Sequence, residues 1–111
     1  DQGWPGLWST LQGCHQAGLE TFGAGQNLEA ADRWLVKEMG GVRVAFAAMC
    51  EREWCFGGLA FAGAAPLDAI RFTRLVAARK TTYDYLIVLL HGGAEHHPLP
   101  SPRLQDMCRF L

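Results

Sequence analysis

Net charge is almost absent from this chain: ten Lys and Arg stand against eleven Asp and Glu, leaving −1 at pH 7. With a pI near 6.4, the charge balance makes no electrostatic case for a nucleic acid or an acidic polymer as partner. Metal-type cysteine pairs are lacking too. The four cysteines, Cys14, Cys50, Cys55 and Cys108, form no C-x-x-C and no ladder suited to zinc. Cys14 and Cys108 fall on apolar helix faces, so buried free thiols are expected rather than disulfides. No apolar run reaches membrane length and no signal-peptide pattern is visible. Internal repeats and low-complexity linkers are absent as well.

What the chain does have is apolar residues, at 50% of the total and a mean hydropathy of +0.02. That is high for 111 residues, a length allowing one domain at most and burying roughly two-thirds of its unfolded surface. Helical and strand patterns alternate along it. Pro5 suits the first turn of a helix in which Leu7, Leu11 and Cys14 recur at helical spacing until Gly18. Leu19 to Phe22 reads as a short strand, and Gly23-Ala24-Gly25 turns into a brief helix near Asn27, a good N-cap. Trp34 to Met39 and Val42 to Met49 flank Gly40-Gly41, the strongest hairpin signal in the chain. The later part of that second strand looks buried on both faces. Glu51 to Ala65 has no clean period and reads as a loop crossing the mouth of the sheet. Pro66 is expected to open a helix running to about Lys80, and Ser101-Pro102 a last one with Leu104, Met107, Cys108 and Leu111 as its stripe.

The richest stretch runs from Tyr85 to Pro102. Tyr85-Leu86-Ile87-Val88-Leu89-Leu90 is short and apolar throughout, so a strand buried on both faces is predicted. It ends in His91-Gly92-Gly93-Ala94-Glu95-His96-His97. A histidine at a strand end followed by two glycines sits where open α/β sheets keep their chemistry, beyond the carboxyl ends of the strands. Three imidazoles and a carboxylate in seven residues are metal-site chemistry. On its own, His91 reads more readily as a histidine that closes the strand by bonding a carbonyl than as a metal ligand.

His91-Gly92-Gly93-Ala94-Glu95-His96 followed by Leu99-Pro100-Ser101-Pro102-Arg103 resembles a segment of the CapA family of bacterial capsule and poly-γ-glutamate synthesis proteins. That family lies within the calcineurin-like metallophosphoesterases. His96 departs from its pattern, which has an aromatic there. Asp1-Gln2-Gly3 with Gly6-Leu7 and Thr10 is similar to the tail of the family's Asn-His-x-x-Asp-x-Gly segment. Gly23 to Ala31 resembles its Gly-Ala-Gly-x-Asn segment, Cys50-Glu51-Arg52-Glu53-Trp54 its Cys-Glu-Asn-Glu-Trp, and Ala64 to Ile70 its Ala-Asn-Pro-Leu-Asp-Pro-Ile. The segments follow in the family's order over nearly the whole chain.

The resemblance implies an α/β fold, a fragment of a calcineurin-like metallophosphoesterase αββα sandwich. It also implies a dinuclear site of two divalent ions, of Mn, Fe, Zn or Mg, that hydrolyses a phosphate ester of a small molecule or polymer precursor. On this alignment His91 is a metal ligand, while the Asn-His pair would precede Asp1 and a final His-x-His would follow Leu111. Residues 1–111 are thus expected to be part of a domain truncated at both ends, poor at catalysis alone. Glu95 is the candidate to orient His91, and His96 to protonate a leaving alkoxide. Glu51 and Glu53 either face the substrate or order their loop, and Asp1 matches the Asp that supports the Asn-His loop. Family placement suggests the cell envelope and its polymer-synthesis machinery. The runner-up is a non-catalytic α/β module binding a nucleotide or sugar, or a degenerate metallophosphoesterase. Its basis is the Gly23-Ala24-Gly25 turn before a helix, although Leu28 breaks the dinucleotide fingerprint.

Overall fold

The computed structural model describes residues 3–51, 57–58, 60–94 and 96–111. Helix α1 (Gly3–Gln16) closes with bonds from Gly18 N–H to the His15 carbonyl and from Leu19 N–H to Cys14, which cap its last turn. Leu7, Leu11 and Cys14 are half-buried along its inner side. Strand β1 (Ala24–Gly25) leads into the short α2 (Leu28–Ala31), capped by the Asn27 side chain, which accepts from Ala30 N–H. Strands β2 (Leu35–Met39) and β3 (Val42–Cys50) form the expected hairpin, with Met39 opposite Val42. Gly40 and Gly41 take φ of 60° and 83°, the doubly left-handed geometry that a two-residue hairpin turn needs.

Beyond β3 come β4 (Gly63–Ala64), α3 (Ala69–Arg79), β5 (Tyr85–His91) and α4 (Pro102–Phe110). β5 lies parallel to β3, giving a mixed three-stranded sheet ordered β2-β3-β5, while β1 and β4 make a separate antiparallel pair. The class is α/β, as the sequence predicts. Asp68 caps α3 by accepting from Arg71 N–H, and Ser101 caps α4 by accepting from Leu104 N–H, with Pro102 at its first turn.

One face of the sheet builds the core. The register sets Ala45, Ala47 and Met49 beside Leu86, Val88 and Leu90, and Phe72 and Val76 of α3 pack onto that side with Ala31 and Ala65. Burying a side chain such as Phe72, 4% exposed, is worth roughly 2–3 kcal/mol. Trp34 extends the cluster, its ring 5.8 Å from Phe72 and 5.7 Å from Tyr83, with the Arg79 guanidinium over its face at 4.7 Å. The buried Asp32 is answered by an ion pair with Arg71, and its carbonyl accepts from Arg79.

Several expectations need correction. β5 is not buried on both faces: Tyr85, Ile87 and Leu89 are 66%, 46% and 48% exposed. They share a face with Val44, Phe46 and Ala48, where Phe22 packs on Phe46 at 6.3 Å and leaves the β5 side bare. For the same reason β3 is buried on its core side and only half-buried on the other at Phe46 and Ala48. Leu19 to Phe22 is not a strand; it passes over the sheet face, and ladder bonding starts at Ala24. Pro66 does not open α3 but bridges Cys50, with Leu67 N–H bonded to the Cys50 carbonyl. The stretch read as a loop from Glu51 to Ala65 contains β4. Cys50 is buried, but Cys14 is half-buried and Cys108 exposed, both as free thiols; Cys55 lies outside the described residues.

Candidate functional site

Parallel pairing brings the carboxyl ends of β3 and β5 together, with Cys50 beside His91 and Glu51 N–H donating to the His91 carbonyl at 2.9 Å. His91 is therefore the last residue of the ladder, and its exposed imidazole stands at the rim of the sheet. The chain then turns sharply. Gly93 has φ of 108°, and a Cβ on Gly92 would lie 2.7 Å from Glu51 Cγ and 2.8 Å from its Oε2. Only a glycine lets the Glu51 side chain lie against the backbone there.

Glu51 organises this corner. Its side chain is 11% exposed; Oε2 accepts from Gly93 N–H at 2.8 Å, and Oε1 is ion-paired with Arg103 from the first turn of α4. Three segments far apart in sequence, Cys50-Glu51, His91-Gly92-Gly93 and Ser101-Pro102-Arg103, thereby converge on one carboxylate. With both oxygens engaged, Glu51 orders the loop that follows His91. Arg103 is the residue that sequence reasoning left without a role, and the close approach of Gly92 is to Glu51. The signal is long-range, since Glu51 and Arg103 are 52 positions apart, and no local pattern reports it.

The other candidates are more scattered. His96 is exposed with φ of 63°, a region that non-glycine residues seldom occupy. His97 N–H donates to the Ala94 carbonyl at 3.3 Å. Asp1, Glu53 and Glu95 lie outside the described residues. Among the described residues, no three His, Cys, Asp or Glu side chains gather into a metal-holding group. His91 suits one coordination position, because its imidazole is exposed and carries no side-chain hydrogen bond among the described residues. Glu51 already accepts from Gly93 N–H and pairs with Arg103.

The Gly23-Ala24-Gly25 turn offers no phosphate cradle. At the start of α2, Leu28 N–H donates to the Gly58 carbonyl and Ala30 N–H to Asn27. Gly25 backs onto its own helix, where an added Cβ would sit 2.5 Å from Ala30 Cβ. Gly25 thus serves close packing of β1 on α2, and Gly23, where an added Cβ would sit 2.5 Å from Ala48 Cβ, close packing against β3.

Comparison with known proteins agrees with the motif reading. No curated protein and no solved structure matches the chain. The family model described as bacterial capsule synthesis protein PGA_cap matches residues 1–111. With its strand-end histidine, its glycine turn and a family match over its whole length, the chain belongs to the bacterial capsule synthesis proteins.

Proposed function

We propose that this chain contributes the His91 strand end to a divalent-metal phosphoesterase site, acting on a phosphate ester of a small molecule or polymer precursor during capsule synthesis. The observation that carries the reading is the position of His91. It closes a parallel strand at the sheet's carboxyl rim, with an exposed imidazole and a backbone turn pinned by Glu51. Two bound ions, of Mn, Fe, Zn or Mg, would supply a Lewis acid and a hydroxide at neutral pH.

The protein's own residues have separate tasks. His91 holds one coordination position as a neutral imidazole. Glu51 fixes the direction of the chain leaving His91. Glu95 accepts the proton-bearing side of the ligand imidazole and so sets its tautomer. His96 returns a proton to the departing alkoxide. In the intact protein, His91→Ala is expected to abolish hydrolysis of p-nitrophenyl phosphate and to lower bound metal, while Glu95→Ala costs roughly 10–100-fold in rate. Near-normal turnover and metal content in the His91 variant would remove His91 from the site.

A further inference from the structure

A second candidate site lies away from the His91 corner. Trp4 and Trp8 stand one helical turn apart on α1, so their indoles share a face. The rings lie 5.3 Å apart at 45° and are 36% and 49% exposed. They form one wall of a groove of about 470 Å³, whose other wall carries Gln26, Asn27, Glu29 and Arg33. A second recess, of about 550 Å³, shares Trp4, Gln26 and Asn27 in its lining. Both volumes fall in the range of small-ligand sites.

The polar wall is chemically open. Among the described residues, the side chains of Gln26, Glu29 and Arg33 make no hydrogen bond or ion pair, and Asn27 uses only its amide oxygen, on Ala30 N–H. Arg33 brings one positive charge and Glu29 one negative, so the lining is neutral overall. A ligand for such a groove needs an apolar face to lie on the indoles and a rim of hydroxyls or amides for the opposite wall. It needs no charge. A polyanion would meet Glu29 with a single arginine to offset it.

We propose that this groove binds a short run of neutral sugar rings, whose C–H faces stack on Trp4 and Trp8 while their hydroxyls bond to Gln26, Asn27 and Arg33. The proposal shares no residue with the His91 loop and stands whether or not the hydrolytic reading does. Two recesses that share Trp4, Gln26 and Asn27 in their linings leave room for more than one ring.

Saturation-transfer NMR on the full-length protein tests this with tetrasaccharides of β-linked glucose, galactose and N-acetylglucosamine, and with oligo-γ-glutamate of matched length. At least one sugar is expected to receive saturation at its ring C–H protons. Trp8→Ala is expected to weaken that binding about tenfold, near the upper end of what one aromatic contact is worth, with Trp8→Phe recovering most of it. Gln26→Ala, on the opposite wall, provides a weaker loss that does not depend on α1. His91→Ala should bind the sugar as the parent does, which separates this site from the hydrolytic one. No saturation with any of the three sugars, a preference for oligo-γ-glutamate, or unchanged binding in both the Trp8→Ala and Gln26→Ala variants would overturn the proposal.

Discussion

At the amino end of the β3–β5 pair, Asp84 accepts from Arg43 N–H at 2.8 Å and from its guanidinium at 2.9 Å, while Asp84 N–H donates to the Arg43 carbonyl. At the carboxyl end, Glu51 accepts from Gly93 N–H and pairs with Arg103. Both ends thus use a carboxylate, an arginine and a backbone N–H. They differ in their access to water. The side chains of Arg43 and Asp84 are 43% and 42% exposed, so solvent can replace either partner, and screening leaves such a pair little net value. Glu51 is nearly enclosed, and it satisfies a half-buried N–H as well as the arginine, so its loss costs more. The same parts therefore make a replaceable fastening at one end and a structural keystone at the end where His91 stands.

The largest expected effect comes from removing the keystone. Glu51→Ala should lower stability by about 2 kcal/mol, the joint loss of the acceptor for the half-buried Gly93 N–H and of the Arg103 pairing, read by chemical denaturation. Hydrogen exchange at Gly93 should quicken in parallel. Glu51→Gln sharpens the contrast: it keeps an acceptor for Gly93 and loses only the pairing with the exposed Arg103, for less than about 1 kcal/mol. Equal losses in the two variants would mean that charge, not the N–H bond, holds the corner.

Next in size is Gly92→Ala. Its Cβ would meet Glu51 at 2.7 Å, and displacing a pinned side chain costs about 1–2 kcal/mol. In a Glu51→Ala background the same change should be nearly neutral, since the obstacle is gone. Additive losses would show that Gly92 is needed for some other reason.

The smallest effect belongs to the exposed end and is best seen with pH. The hydrogen bond from the Arg43 guanidinium, then that from Arg43 N–H, holds the Asp84 carboxyl below the usual carboxylate range. A lowered folded-state pKa gives stability that is present above the unfolded value and lost as pH falls through the folded one. Wild type and Asp84→Asn should therefore differ slightly in Tm at neutral pH and converge below about pH 4, the ordinary aspartate range. Parallel curves across that range would mean the pair adds no linkage.

Local chemistry was the part of this fold that sequence made legible. Gly40-Gly41 demanded a two-residue hairpin, Asn27 and Ser101 announced helix starts through their caps, and His91 fell at a strand end because the apolar run stopped there. The bare outer face of β5 was hidden, because a continuous apolar run has no period to say which side is covered. The two-residue strands β1 and β4 are too short to carry a pattern. Glu51 was readable as a loop residue in a family segment, yet its partners, Gly93 and Arg103, lie 42 and 52 positions away. Only the fold brings them within reach.

The hairpin also dictates an order of events. Gly40-Gly41 lets β2 and β3 close between immediate neighbours, a step of about 1–10 μs for hairpins. β5 must instead find β3 across the 41 positions separating Arg43 from Asp84, after the intervening chain has paid its loop-closure entropy. Pulse-labelled amides should accordingly be protected first in β2 and the start of β3, and last at Gly93. A chain released before that final step would hold a formed hairpin and an unfinished rim. The corner that carries His91 is then the part most exposed to failure in a crowded cell, even though its carboxylate is better enclosed than that of Asp84 once made.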